Sequence, residues 1–485
     1  MLKRKGRPRI GLRVRSNPVW MGGINYILNW AKTLHYMPAD ERPHVYFLYS
    51  DERGREIAAG HADIVSGIRP FREASKLDLD MVFPATTLFE TPFESPWAGW
   101  ITDWQHRILP EMFDETEILQ RDFHHQLFAA KAPFLVLSSQ MAIDDTGKFI
   151  DSKTAPMGKL HFPAIINDEA CDVKQTLEHY GLPEKFFIVC NQFWKHKNHM
   201  LVLKALKKLA DQNIKCVFTG STSDHRWPDF FETIEAFIKE NNLSSSVYLL
   251  GPIPRKDQVD LMKACLAFIQ PSLFEGWSTV VEEARALNKP ILLSRFPVHI
   301  EQSFEKCRLF EPDNADELAS LMREFWDDAP SSESEPINNA WLENHREYVI
   351  CCAGEFVRIA GRVKECYDPE IHETKKVFLS LILSLIGKGE PEIPKELHQR
   401  VWDGIRLAFQ QNPKQLLKFL ELVKQDNPEL LEMVKDQIFL PVVQKFQVPQ
   451  RNAYITRMEK FFKVMNEGLF TRKLKRLLTL LNYRL

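Results

Sequence analysis

At 485 residues the chain is long enough for two or three domains, and its 44% hydrophobic content is ample for a soluble core. A formal net charge of -2 argues against a dedicated nucleic-acid binder. The eight cysteines show no C-x-x-C or Cys/His zinc spacing, so reduced thiols in a cytoplasmic setting are the simplest reading.

The N-terminal run M-L-K-R-K-G-R-P-R-I is basic, but no long apolar core follows, and a secretory leader is not expected. Arg9 to Val14 reads as a first strand. Trp20, Met21, Gly22 and Gly23 form a loop before a helix from about Gly23 to Tyr36. Val45 to Tyr49, Asp63 to Ile68, Met81 to Ala85, Trp100 to Thr102 and Phe134 to Leu137 read as short strands, with a helix after Ser138. Asp78-Leu79-Asp80 has the form of a D-x-D metal site but is isolated and reads as solvated. This alternation of strand and helix implies a mostly parallel sheet.

The pattern breaks at Pro163, and a linker is expected over 162–172. A second alternating block follows, with strands at Phe186 to Cys190, Lys215 to Thr219, Val247 to Leu250, Leu266 to Gln270 and Ile291 to Ser294. It closes near Ala329 at the polar linker P-S-S-E-S-E-P, and Ala340 to Tyr367 is a long helical pattern. The expected units are 1–165, 166–335, a helix over 336–367 and a helical extension over 368–485. The apolar run Val377 to Ile386 is too short for a bilayer, which takes about 20 residues. Between 450 and 485 there are nine Lys/Arg and two Glu. This basic amphipathic end suits an anionic membrane surface or a partner protein. A solvated helix packing its leucines on its neighbours fits equally well.

Ile269 to Pro290 carries the chemistry. An apolar strand stops at Pro271, and Gly276 permits a tight turn. Thr279 followed by Glu282 is a capping-box pattern, so a helix is expected near Val280. Glu275 then lies at the carboxyl rim of a strand, where open α/β sheets bind ligands. Glu283 lies one turn inside the helix, whose free amides favour an anion such as pyrophosphate. By itself this spacing also fits two solvated glutamates.

The segment F-E-G-W-S-T-V-V-E-E-A, with A-L-N-K-P-I-L-L-S after it, resembles the E-x7-E signature of retaining, nucleotide-sugar-dependent glycosyltransferases of family four. The resemblance implies an α/β fold of two Rossmann-like domains facing a cleft (GT-B), with a C-terminal helical extension added. It implies that Glu275 contacts the transferred sugar and Glu283 the ribose, with Gly276, Trp277, Ser278 and Thr279 in the same binding loop. The helix over 336–367 is expected to cross back to the first domain.

Other segments extend the resemblance. Gly22 and Gly23 are similar to the family's Gly-Gly loop; they are no G-x-G-x-x-G fingerprint, so NAD is not expected. In N-Q-F-W-K-H-K-N-H-M, Lys197 is placed to meet a diphosphate. The family has an arginine where Asn191 stands here, and Lys195 or Arg295 is the expected substitute. W-I-T-D-W-Q-H-R-I-L-P-E-M-F resembles a bacterial D-x-Q-H-x-x-L-P-E-x-F motif, placing Asp103 and His106 on a loop facing the cleft. Gly251 and Ile253 are expected to line the base pocket, Gly220 to border it, and Val298, His299, Glu301 and Gln302 to rim the donor.

The implied donor is a nucleoside-diphosphate sugar of UDP or GDP type, with no metal or cofactor required. The acceptor is a glycan, a lipid-linked sugar or a protein, handled in the cytoplasm or at the inner face of a membrane. Two alternatives remain open: a catalytically weak scaffold acting through its helical tail, and a sugar-nucleotide epimerase on the same fold.

Overall fold

The computed structural model describes residues 6–368, apart from 16–20, 86–94, 115–116, 119–120, 123–124, 126–128, 130–131, 151–154, 167–171, 225 and 329–338. The expected helical extension after Asp368, its basic end, the P-S-S-E-S-E-P linker and Trp20 all lie outside the described residues.

Two parallel sheets organise the chain. The first holds β1 (Arg9–Val14), β2 (His44–Tyr49), β3 (Gly67–Pro70), β4 (Met81–Ala85), β5 (Trp97–Ile101), β6 (Leu135–Leu137) and β7 (Met157–Lys159), in the order β3-β2-β1-β4-β5-β6-β7. The second holds β8 (Phe187–Cys190), β9 (Cys216–Thr219), β10 (Val247–Gly251), β11 (Ala267–Gln270), β12 (Ile291–Ser294) and β13 (Cys307–Phe310), in the order β10-β9-β8-β11-β12-β13. Strands such as F-I-V-C in β8 and I-L-L-S in β12 are buried at every residue. Helices cover both faces of such a sheet, so its strands are apolar throughout and do not alternate.

Counted from its own first strand, each sheet begins 3-2-1-4-5-6, the doubly wound order. The order reverses between β1 and β4 in one sheet and between β8 and β11 in the other. Ligands in such sheets lie outside the carboxyl ends at that switch.

Three local expectations are corrected. Asp63 to Ile68 is not one strand; Ala62–Ile64 is a 3-10 turn and pairing starts only at Gly67. The strands β7 and β13 were missed because their short sequences, M-G-K and C-R-L-F, keep half-exposed positions at the sheet edges. Asp80 is not a solvated half of a D-x-D pair. It accepts from Arg9 N at 2.7 Å and pairs with Lys364, tying the helix Asn339–Cys366 to the base of the first sheet.

That long helix packs on the first sheet. Phe356, Ile359, Ala360 and Val363 join Ile10, Leu12, Phe83 and Phe134 in one core, with Phe356 4.5 Å from the Trp30 ring. Upstream on the same helix, Tyr348 donates its hydroxyl to Glu282 of the second unit at 3.1 Å. The sheets also meet directly at their carboxyl rims. A Cβ placed on Gly276, beyond β11, would lie 2.5 Å from the carbonyl oxygen of Thr102, beyond β5.

Candidate functional site

The two loops at the β8/β11 switch build the centre of the site. β8 ends at Cys190, and its exit loop runs to the left-handed Asn198 at φ 56°. Asn198 donates to the carbonyl of Pro271 at 3.1 Å, and Leu273 N donates to the carbonyl of His196 at 2.8 Å. These bonds bind the exit loops of β8 and β11 together and fix the side chains they carry.

Lys197 and Glu275 meet across that seam, Nζ to Oε1, at 2.6 Å. Both are largely buried, so the pair is screened far less than a surface one. Gln270, the last residue of β11, donates Nε2 to the same Oε1 at 2.8 Å and accepts from Asn191 Nδ2 at 2.7 Å. Asn191, Gln270, Glu275 and Lys197 thus form one chain of bonds along the rim. Asn191 is buried and its amide is committed to Gln270, so this position positions Glu275 through an intermediary and offers no charge of its own. Nothing in the sequence marked Gln270 beyond a polar residue closing an apolar strand.

The expected substitutes for the missing arginine are elsewhere. Lys195 Nζ sits 3.5 Å over the Trp227 ring, and Arg295 pairs with Glu311 at 2.7 Å. The charge of Arg226 acts on His196 in the β8 exit loop. Burial, and then the charges of Lys197, Arg226, His199 and Arg121, hold His196 well below the ordinary imidazole range. Arg226 bonds Glu117 of the first unit at 3.0 and 3.1 Å, bridging the two halves.

Glu282 and Glu283, adjacent in sequence, take opposite surroundings on the helix Thr279–Ala286. Glu282 is fully buried; burial raises its pKa, and Gln302, Tyr348 and Arg285 hold it. Glu283 instead pairs with Arg255 at 2.5 Å. The capping-box expectation is corrected: the helix begins at Thr279 with Ser278 as N-cap, and neither side chain caps it. Gln302 does the tying, accepting from Ser278 N at 2.9 Å and donating to Glu282 at 3.1 Å. Ser278 Oγ is buried with no partner among the described residues, beside the helix's free amides.

Several expected site residues have other positions. His106 is fully buried, 2.9 Å from Asp122, because the short helix Gln105–Ile108 turns it inward. It therefore does not face the cleft, whereas Asp103 lies near Gly276, its Cβ 3.3 Å from a Cβ built there. Trp277 is a staple between the halves: its ring stacks on His161 at 4.0 Å and its Nε1 donates to the Phe162 carbonyl at 3.1 Å. Gly22 and Gly23 lie in the first turn of the helix Met21–His35 and not in a loop before it. Gly220 N bonds the Gly251 carbonyl at 2.9 Å, and Ile253 packs on the core beneath β8. Val298 and His299 are buried, with His299 Nδ1 bonded to Ser294.

Glu301 is a second bridge. Its carboxylate accepts from Lys159 Nζ, His161 Nε2 and Gln140 N, each at 2.8 Å and all from the first unit. Burial raises its pKa, but these three bonds outweigh that and bring it to about 2. The folded value lies below the ordinary 4.5, so its stabilisation is full above pH 4.5 and is lost as pH falls towards 2. Glu301→Gln should cost about 1–2 kcal/mol at pH 7 after discounting for solvent screening. Urea unfolding at pH 7 and pH 3 reads this directly: the gap to wild type should narrow at the lower pH.

Comparison with known proteins finds a family match over part of the chain. Residues 177–343 match the family Glycosyl transferases group 1. That group 1 segment contains Lys197, Gln270, Glu275, Glu283 and Arg255. The O-antigen chain mannosyltransferase RfbU of Salmonella typhimurium is 24% identical over 140 residues, 29% of this chain and 38% of that protein. The N-acetylgalactosamine-N,N'-diacetylbacillosaminyl-diphospho-undecaprenol 4-alpha-N-acetylgalactosaminyltransferase of Campylobacter jejuni is 27% identical over 158 residues, 32% of this chain and 41% of that one. The chain thus spans about two fifths of the length of these curated relatives. Among solved structures, Anabaena HepE in complex with UDP superposes with a TM-score of 0.51 and 17% identity, over 73% of this chain and 97% of HepE. The fold is therefore GT-B, two Rossmann-like sheets with their carboxyl rims apposed.

Proposed function

We propose that the chain is a retaining glycosyltransferase that uses a nucleoside-diphosphate sugar and needs no metal. The observation that carries this reading is the Lys197–Glu275 pair at the β8/β11 switch, with Glu283 on the helix that follows. Glu275 meets the transferred sugar, Lys197 the diphosphate and Glu283 the ribose. Ser278 Oγ and the helix amides supply further donors for phosphate oxygens. In the reaction an acceptor hydroxyl oxygen bonds the anomeric carbon while that carbon's bond to the diphosphate oxygen breaks. The electron pair leaves on the diphosphate, which takes the hydroxyl proton. Lys197 offsets the charge that builds there.

The curated relatives are named for mannosyl and N-acetylgalactosaminyl transfer, and the HepE structure contains UDP. By analogy, the acceptor here is a growing glycan on a lipid carrier. Among the described residues no helix is long and apolar enough to cross a membrane. The basic 450–485 segment is the proposed contact with the inner membrane face or with a protein. The test is release of nucleoside diphosphate from a panel of UDP- and GDP-sugars; no release from any of them refutes the enzyme reading.

One observation favours a second reading, a sugar-nucleotide-binding scaffold. Asn191 replaces a cation, and Lys197 is neutralised by Glu275. Tight nucleotide binding without turnover would select it.

A further inference from the structure

The Glu283 carboxylate is not an isolated acceptor. Only 7% of its side chain is exposed, and a buried carboxylate without a partner is strongly disfavoured. Its partner, Arg255, is the first residue of the helix Arg255–Ala264 and directly follows the Gly251–Pro254 loop. The guanidinium uses two arms. Nη2 meets Glu283 Oε1 at 2.5 Å, and Nη1 donates to Gln258 Oε1 at 2.7 Å. Gln258 in turn donates to Thr219 Oγ1, at the end of β9, at 3.3 Å. Arg255 is thus tied to the sheet rim on one side and to the carboxylate on the other. Among the described residues no hydrogen bond reaches the second oxygen of Glu283.

We propose that Arg255 is a positioning residue for nucleotide recognition: by holding one oxygen of Glu283, it presents the other to the 2′,3′-diol of a ribose. This rests on the reading of the cleft as a nucleoside-diphosphate site. A vicinal diol donates two hydrogen bonds, and an ionised, fixed carboxylate is the acceptor that suits it. Losing Arg255 leaves Glu283 free to rotate, and that weakens the acceptance. Arg255 itself need not touch the nucleotide.

The test is a thermodynamic cycle by calorimetry on the full chain. UDP, GDP and ADP are titrated first; the one that binds wild type is then compared with its 2′,3′-dideoxy form. Arg255→Met should weaken the native nucleotide about tenfold, the scale of a lost hydrogen bond to a charged group. The dideoxy form should bind wild type about tenfold more weakly, and Arg255→Met should change it less than about twofold. Arg255→Lys keeps the charge but not the fork, and should fall between wild type and Arg255→Met for the native nucleotide only. Equal weakening of both ligands, or no weakening of either, overturns the proposal. If wild type binds the native and dideoxy forms alike, Glu283 does not read the ribose and the proposal fails while the nucleotide site stands. If none of the three binds wild type, the proposal and the nucleotide reading fall together.

Discussion

Glu275→Gln should lower nucleoside-diphosphate release by about 10²–10³-fold while leaving the fold intact. Glutamine has the same shape, and its carbonyl oxygen can still accept from Gln270 Nε2. What it removes is the charge that Lys197 faces at 2.6 Å. Lys197 then loses its anchor between the two exit loops, and under the proposed function the transferred sugar loses a charged acceptor at the switch point. An interaction made mainly in the transition state lowers kcat and kcat/KM together. The effect should therefore persist at saturating donor. Equal turnover by wild type and variant would remove Glu275 from the chemistry.

Gly220→Ala should be the most damaging small substitution in the second unit, at about 3 kcal/mol or more. Gly220 has φ 140°, a region L side chains rarely adopt. A Cβ there would fall inside 3.0 Å of the Asn191 carbonyl and of Gln192 N, all backbone. Neither side can give without moving the exit of β8. Asn191 supports Gln270, and Gln270 supports Glu275, so the damage runs into the site. Gly251→Ala is the control: its φ is 65°, but a Cβ there meets nothing within 4 Å, and about 1 kcal/mol is expected. Urea midpoints with unchanged slopes would measure both. A Gly220→Ala variant within about 1 kcal/mol of wild type contradicts the packing argument.

The sheets were legible in the sequence because buried parallel strands leave continuous apolar runs. F-I-V-C, A-F-I-Q and I-L-L-S stand out for that reason. The edge strands β7 and β13 were not, since an edge tolerates polar residues and short length. At the site, Glu275 and Lys197 could be read because each sits just beyond a strand in a distinctive local sequence. Partners distant in the chain could not. Arg255 lies 28 residues from Glu283, and Glu301 is 140 residues from His161. Only the fold brings these charges together. His106 shows the opposite failure: its local sequence placed it at the rim, but a short helix turned it onto Asp122. Trp277 sits within the binding-loop motif, yet its ring is spent on joining the two halves.

The most direct measurement is thermal unfolding of the full chain against UDP, GDP and their sugars, with Glu283→Ala alongside. A ligand that binds only the folded state raises stability by mass action, about 2.7 kcal/mol at a hundredfold excess over Kd. At least one of these nucleotides should raise Tm in wild type, and Glu283→Ala should lose most of that rise. No rise with any of them, or an undiminished rise in Glu283→Ala, would contradict a nucleotide-sugar site at the β8/β11 switch.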